Sequence, residues 1–267
     1  MSDLGIYVDA FEQSIRSTID LAGSLDDNDW RRPTDLPGWT VHDTVAHLAA
    51  VERELLGHPR PPRLDTYGPH VRSAFGRHME DGVAARRDRS SAEVVAELAD
   101  ALELRLPQMR SMRPEDAPVR VPAGERWSVE QLLRNRAVDA WMHEQDVRRA
   151  VGRPGNLDGP GASVVRHVAL GALPLLVAKR AGAGPGQSVR LDVVGAQSFT
   201  ATVVVGEDGR GVLTAGEVAD PSAVIALDWE ALVRLFGGRR QAAEVPVDVS
   251  GDEGLAGRVL GSLAVTP

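Results

Sequence analysis

The chain has 267 residues, 43% of them hydrophobic and 25% charged, a balance that excludes disordered, collagen-like and fibrous classes and suits one large or two small domains. It contains no cysteine, which excludes a disulfide scaffold, a thiolate zinc site and a protein-borne thiol nucleophile. A net charge of -8, from 30 basic and 38 acidic residues, provides no basic surface to track a phosphate backbone, so no nucleic-acid partner is expected.

In chain order, the opening residues carry acids where a secretory leader has a basic and then an apolar region, which predicts a cytoplasmic chain. Tyr7, Phe11, Ile15 and Ile19, joined by Ala22, recur at helical spacing and end at a loop rich in Asp and Pro. Thr40 with Asp43 makes a capping box, after which Val41, Val45, Leu48, Val51 and Leu55 form the apolar side of a second helix stopped by Pro59, Pro61 and Pro62. A third helix is expected from Tyr67 to Arg87, and Ser91 opens another with Val94, Val95, Leu98 and Leu102 buried. Pro107, Pro114, Pro118 and Pro122 then mark an irregular crossing. Ser128 with Gln131 caps a further helix, Leu132 to Val151, that ends at Gly152 and Pro154. Four long amphipathic helices of this kind predict a four-helix bundle.

After Pro154 the pattern changes. A helix from Gly161 to Arg180 is followed by strands at Val189 to Val193, Phe199 to Val203, Val212 to Leu213 and Ala223 to Leu227. The longest apolar run within that helix, Val168 to Ala178, is short of the roughly 20 residues of a membrane span, so no crossing is expected. Glu207-Asp208-Gly209 reads as a hairpin turn. A helix over Glu230 to Phe236, an alternating stretch at Val245, Val247 and Val249, and a closing helix from Asp252 to Leu263 complete an α/β domain with a mainly antiparallel sheet.

The residues that point to chemistry lie on the helix after Ser128. Leu132, Arg136, Asp139, His143 and Asp146 share one side at spacings of three and four, so a line that should be buried carries four polar groups that each need a partner. A structural Asp/His hydrogen-bond pair satisfies them, and so does a metal ion. His47, beside the apolar Leu48, completes a set of two histidines and a carboxylate if the two helices are neighbours, the ligand count of a catalytic zinc site. Two histidines and a carboxylate also describe non-haem iron oxygenases, whose recurrent setting is a β-barrel rather than a bundle. Asp146 reads as an acceptor for His143, and His42, His58, His70 and His78 read as solvated or capping residues.

Leu36-Pro37-Gly38-Trp39-Thr40-Val41 followed by Ala46-His47-Leu48 resembles the signature of the second helix of the DinB-like metal-binding bundle. Together with Asp139-x-x-x-His143-x-x-Asp146 it resembles the mycothiol-dependent maleylpyruvate isomerase family. Phe236-Gly237-Gly238-Arg239, then Val249-Ser250-Gly251-Asp252 and a final helix, is similar to that family's small C-terminal domain. The resemblance covers nearly the whole chain and implies an α+β protein: a DinB-like four-helix bundle over residues 1–155 and a small C-terminal α/β domain over 156–267.

It further implies a divalent metal, zinc, held by His47, His143 and, where the family has Glu, by Asp139, one methylene shorter. Arg239, with Arg240 beside it, takes the position of a family arginine that meets carboxylates. Trp141, read from its own position, is most simply a core anchor, with walling of a pocket beside the ligand helix as its alternative role. The family's cofactor is the small thiol mycothiol, which suits a chain without cysteine: its thiolate adds to an activated double bond, and rotation followed by expulsion gives cis-to-trans isomerisation. Capture of a different electrophile would make the same site a thiol S-transferase, and a non-enzymatic metal- or ligand-binding module is the remaining alternative. The implied partners are a small-molecule electrophile and a low-molecular-weight thiol, with the active cleft expected between the bundle and the C-terminal domain.

Overall fold

The computed structural model describes residues 4–214 and 218–265, and its helices start where the capping residues stand. The first apolar stripe forms α1 (Leu4–Ala22), and Asp26 caps a four-residue helix α2 (Asp27–Trp30) inside the stretch expected as loop. The Thr40–Asp43 capping box opens α3 (Val41–Leu55), Ser73 caps α4 (Ala74–Ala84), and a Ser90–Glu93 box opens α5 (Ser91–Ser111). After a two-stranded ribbon of β1 (Val119–Arg120) and β2 (Arg126–Trp127), the Ser128–Gln131 box opens α6 (Val129–Val151). Arg148 and Arg149 in the last turn of α6 complement the partial negative charge of its C-terminus.

Helices α1, α3, α5 and α6 pack as the bundle, with α4 laid on α3. Phe11, Ile15, Leu48, Leu98, Leu102 and Leu132 are essentially solvent-free in its core, each contributing roughly 1.5–3 kcal/mol by burial. Two expectations change here. The third helix begins at Ala74 instead of Tyr67, and α5 continues through Pro107. Pro107 and Glu103 are both exposed, so the carbonyl that loses its N–H partner faces water and the helix continues.

The chain divides into two units, Met1–Val164 and Val165–Pro267, the division falling within α7 (Pro160–Leu175). A π-helical turn, Leu176–Arg180, extends α7 into a 21-residue helix that by length and composition is apolar enough to span a bilayer, longer than the run visible in sequence. Half of its most apolar window is buried inside the fold.

The second unit holds a five-stranded sheet of β3 (Ser188–Val194), β4 (Phe199–Val205), β5 (Gly211–Thr214), β6 (Ala223–Asp228) and β7 (Asp248–Gly251), in the order β5-β4-β3-β6-β7. Every pairing is antiparallel except β3 with β6. The register stacks Val189, Leu191 and Val193 beside Val203, Ala201 and Phe199 on one flank and Ala223, Ile225 and Leu227 on the other, which makes a single apolar face. The turn predicted at Glu207–Gly209 joins β4 to β5. The last strand lies later than the Val245–Val249 alternation suggests, because residues 242–244 form a 3-10 turn. Helices α8 (Trp229–Phe236) and α9 (Glu253–Ser262), both opened by Asp caps, pack against the strands.

Candidate metal centre

Asp139 and His143 lie one turn apart on α6, and α3 packs on that turn with His47 facing them. His47 Nε2 is 3.6 Å from Asp139 Oδ2, and His143 Nε2 is 3.6 Å from Asp139 Oδ1. One ligand atom from each residue lies within 4.8 Å of the others, and the two imidazole centroids are 4.6 Å apart. Metal–ligand bonds of about 2 Å place tetrahedral ligand atoms roughly 3.3 Å from each other, so the cluster would close by up to about 1.5 Å to hold an ion.

The hydrogen bonding supports the same fit. Both ring nitrogens of His47 are buried without a hydrogen-bond partner, an arrangement that costs free energy in a protein interior unless an ion or another donor fills it. His143 is different: its Nδ1 lies 3.2 Å from Asp146 Oδ2, which fixes the ring and directs Nε2 to the cluster. Asp146 in turn is 3.3 Å from Arg149 Nη1.

Charges are distributed unevenly. Burial lowers the pKa of His47 in spite of Asp139 beside it, which keeps that imidazole neutral. Burial also opposes charge on His143, but Asp139 and Asp146 outweigh it and raise its pKa. For Asp139 burial works against ionisation, and Arg136 with His143 overcomes it and holds the carboxyl well below its ordinary value. Arg136 Nη1 stands 3.0 Å from Asp139 Oδ2.

Trp39 covers the cluster, its ring centroid 5.1 Å from that of His47 and 6.3 Å from that of His143. Its Nε1 donates to Glu80 Oε2 at 2.8 Å, and Arg87 holds the other oxygen of that carboxylate. The preceding Gly38 has φ +80°, and a Cβ there would overlap the His70 ring, so glycine is required to turn the indole inward. A groove of about 230 Å³ is lined by His47 on the α3 and α4 side, together with Arg53, Glu54, Arg60, His78 and Met79.

The structure therefore brings His47, Asp139 and His143 together. Trp141, two positions from both Asp139 and His143, points to the opposite flank of α6, where it is fully buried and its Nε1 donates to the carbonyl of Asn156 at 2.8 Å. Arg239 follows α8 in the second unit, largely buried, with Nη1 donating to the carbonyl of Gly237. His78, read as solvated, is buried in α4 with Nε2 2.7 Å from Glu54 Oε2.

Sequence reasoning missed Trp39 as a wall and Glu52 as a buried anion. Glu52 lies one turn after Leu48 on the apolar stripe of α3, and Arg105 one turn after Ala101 on that of α5, so opposite charges on two buried stripes were the available signal.

The model of the mycothiol maleylpyruvate isomerase N-terminal domain family matches residues 11–148. Among solved structures, the chain resembles a mycothiol-dependent maleylpyruvate isomerase with a TM-score of 0.57 and 15% identity, each chain 93% covered. It also resembles a histidine-to-alanine mutant of a mycothiol-dependent maleylpyruvate isomerase with a TM-score of 0.56, 15% identity and the same coverage. At this identity the likeness shows the shared fold. No curated protein matches the chain.

Proposed function

The chain belongs to the mycothiol maleylpyruvate isomerase family through its N-terminal domain, and from that membership we propose a metal- and mycothiol-dependent enzyme that isomerises a cis double bond in a maleylpyruvate-like substrate. The observation that carries this reading is the cluster of His47, Asp139 and His143 with both nitrogens of the buried His47 unpartnered. A divalent metal, zinc for this donor set, supplies the Lewis acidity that keeps a small-molecule thiol deprotonated at neutral pH.

The chain's own residues do the rest. Asp146 accepts the Nδ1 proton of His143 and leaves the Nε2 lone pair for the ion. The Trp39 ring shields the two imidazoles and keeps water from that side. The groove lined by His47 on the α4 side of α3 is where a small electrophile would sit. Its cations Arg53 and Arg60 are only loosely held, 3.8 Å from Glu97 and 3.9 Å from Glu54, which suits contact with a carboxylated substrate.

The test is turnover by the zinc-loaded full chain of maleylpyruvate and of a panel of activated alkenes and alkyl halides, with and without mycothiol. Isomerisation of the cis alkene only when thiol and metal are both present is expected. Consumption of thiol with thioether formation would move the reading to a mycothiol S-transferase. No mycothiol-dependent turnover of any electrophile would leave a metal- or ligand-binding module.

A further inference from the structure

A line of buried charges crosses the bundle and ends at the metal cluster. Arg105 Nε on α5 donates to Glu52 Oε2 on α3 at 2.9 Å, and Arg136 Nε on α6 donates to Glu52 Oε1 at 2.7 Å. Arg136 then presents Nη1 to Asp139 Oδ2 at 3.0 Å. Glu52 is 0% exposed, Arg105 1% and Arg136 4%.

Stability does not account for this arrangement. Desolvation of ions so deeply buried offsets most of their attraction, and apolar side chains of similar volume often serve a bundle core as well or better. Arg105 Nη2 and Arg136 Nη2 are in addition buried without hydrogen-bond partners, a further cost. The line of charges ends on the Asp139 carboxylate, 3.0 Å from Arg136 Nη1.

We propose that Arg136, held in place by Glu52, is a positioning residue that sets the Asp139 carboxylate for metal binding, an inference that rests on the metal reading above. Arg136 precedes Asp139 by three residues, so its guanidinium reaches the carboxylate from the same face of α6. Glu52, anchored on a different helix and itself gripped by Arg105, prevents Arg136 from swinging away. Two effects of Arg136 oppose each other. Its positive charge repels a dication, whereas its planar fork orients the ligand. Glu52, shared with Arg105, offsets only part of that charge but fixes the guanidinium in place, and on this proposal orientation outweighs the remaining repulsion.

Zinc titration of the full chain by calorimetry, with the ligand-field absorption of bound Co2+ and circular dichroism as parallel readouts, separates these effects. Arg136→Lys keeps the charge and loses the fork; Glu52→Gln touches no candidate ligand and loosens only the hold on Arg136. Both variants are expected to bind zinc about 10- to 100-fold more weakly, with a changed Co2+ spectrum and unchanged helical content. Wild-type affinity in folded Arg136→Lys would assign Arg136 a charge role only and overturn the proposal, as would unchanged affinity in folded Glu52→Gln. If Glu52→Gln fails to fold, Arg136→Lys decides alone. A wild-type chain that takes up no zinc would overturn the metal reading together with this inference, a result distinct from binding that the variants leave unaltered.

Discussion

Of the three candidate ligands, Asp139 is the one whose charge the surroundings enforce most strongly. Arg136 and His143 overcome its burial and hold its carboxyl well below the ordinary value, which favours the anion. Asp139→Ala removes that anion from between two imidazoles and a guanidinium, and is expected to abolish stoichiometric metal binding and activity together. Helical circular dichroism should persist, because apolar stripes hold the bundle without the ion. Metal analysis beside a thermal melt checks this, and a variant that does not fold would make the site structural instead. The residues of the cluster were legible because a spacing of four puts Asp139 and His143 on one face and His47 sits beside a core leucine. Trp39 was not legible as a wall: its ring position depends on the positive φ of Gly38 and on the Pro33–Thr40 bridge, which no periodicity encodes.

At the scale of elements, the α4–α5 junction depends on Glu97. Its carboxylate takes two 2.8 Å bonds from Arg86 and one of 2.5 Å from Arg89. Burial works against its charge, but these arginines prevail and hold its pKa below the ordinary 4.5. The unfolded chain therefore binds the proton more readily, and the stabilisation is present above pH 4.5 and lost as pH falls through the folded value. Glu97→Gln should lower the melting temperature at neutral pH and flatten the acid limb of the profile; a limb identical to wild type would remove Glu97 from the linkage.

Gly161 shows a second junction, where α7 meets α6 and α1. A Cβ there would lie 2.6 Å from Ser14 Oγ and 2.7 and 2.8 Å from two atoms of Trp141, a fully buried side chain tied to Asn156 that has no room to move. Helix propensity favours Ala by about 1 kcal/mol, whereas overpacking costs about 1–3 kcal/mol. Gly161→Ala should thus be less stable in denaturant melts, and a gain in stability would show that Trp141 yields. Helix starts were legible in the capping boxes at Thr40, Ser90 and Ser128. Helix ends were less so, since the continuation of α5 through Pro107 depends on which carbonyl faces water.

For the whole molecule, the α+β architecture was legible in the change from helical to alternating periodicity after Pro154, while the parallel pairing of β3 with β6 was not, because it joins strands distant in sequence. Arg239 belongs to this scale. The family resemblance assigns it to carboxylate recognition, and Arg239→Ala is expected to lower turnover of a carboxylated substrate at least about tenfold, the loss of one charge-assisted contact, with metal content unchanged. Unchanged kinetics would remove Arg239 from the site and leave the function to the first unit. Whether His47, Asp139 and His143 form a metal site is decided by metal analysis of the full chain after incubation with zinc and removal of excess. About one zinc per chain is expected, absent in His47→Ala; a folded wild-type chain that retains no metal would show that the three residues do not form such a site.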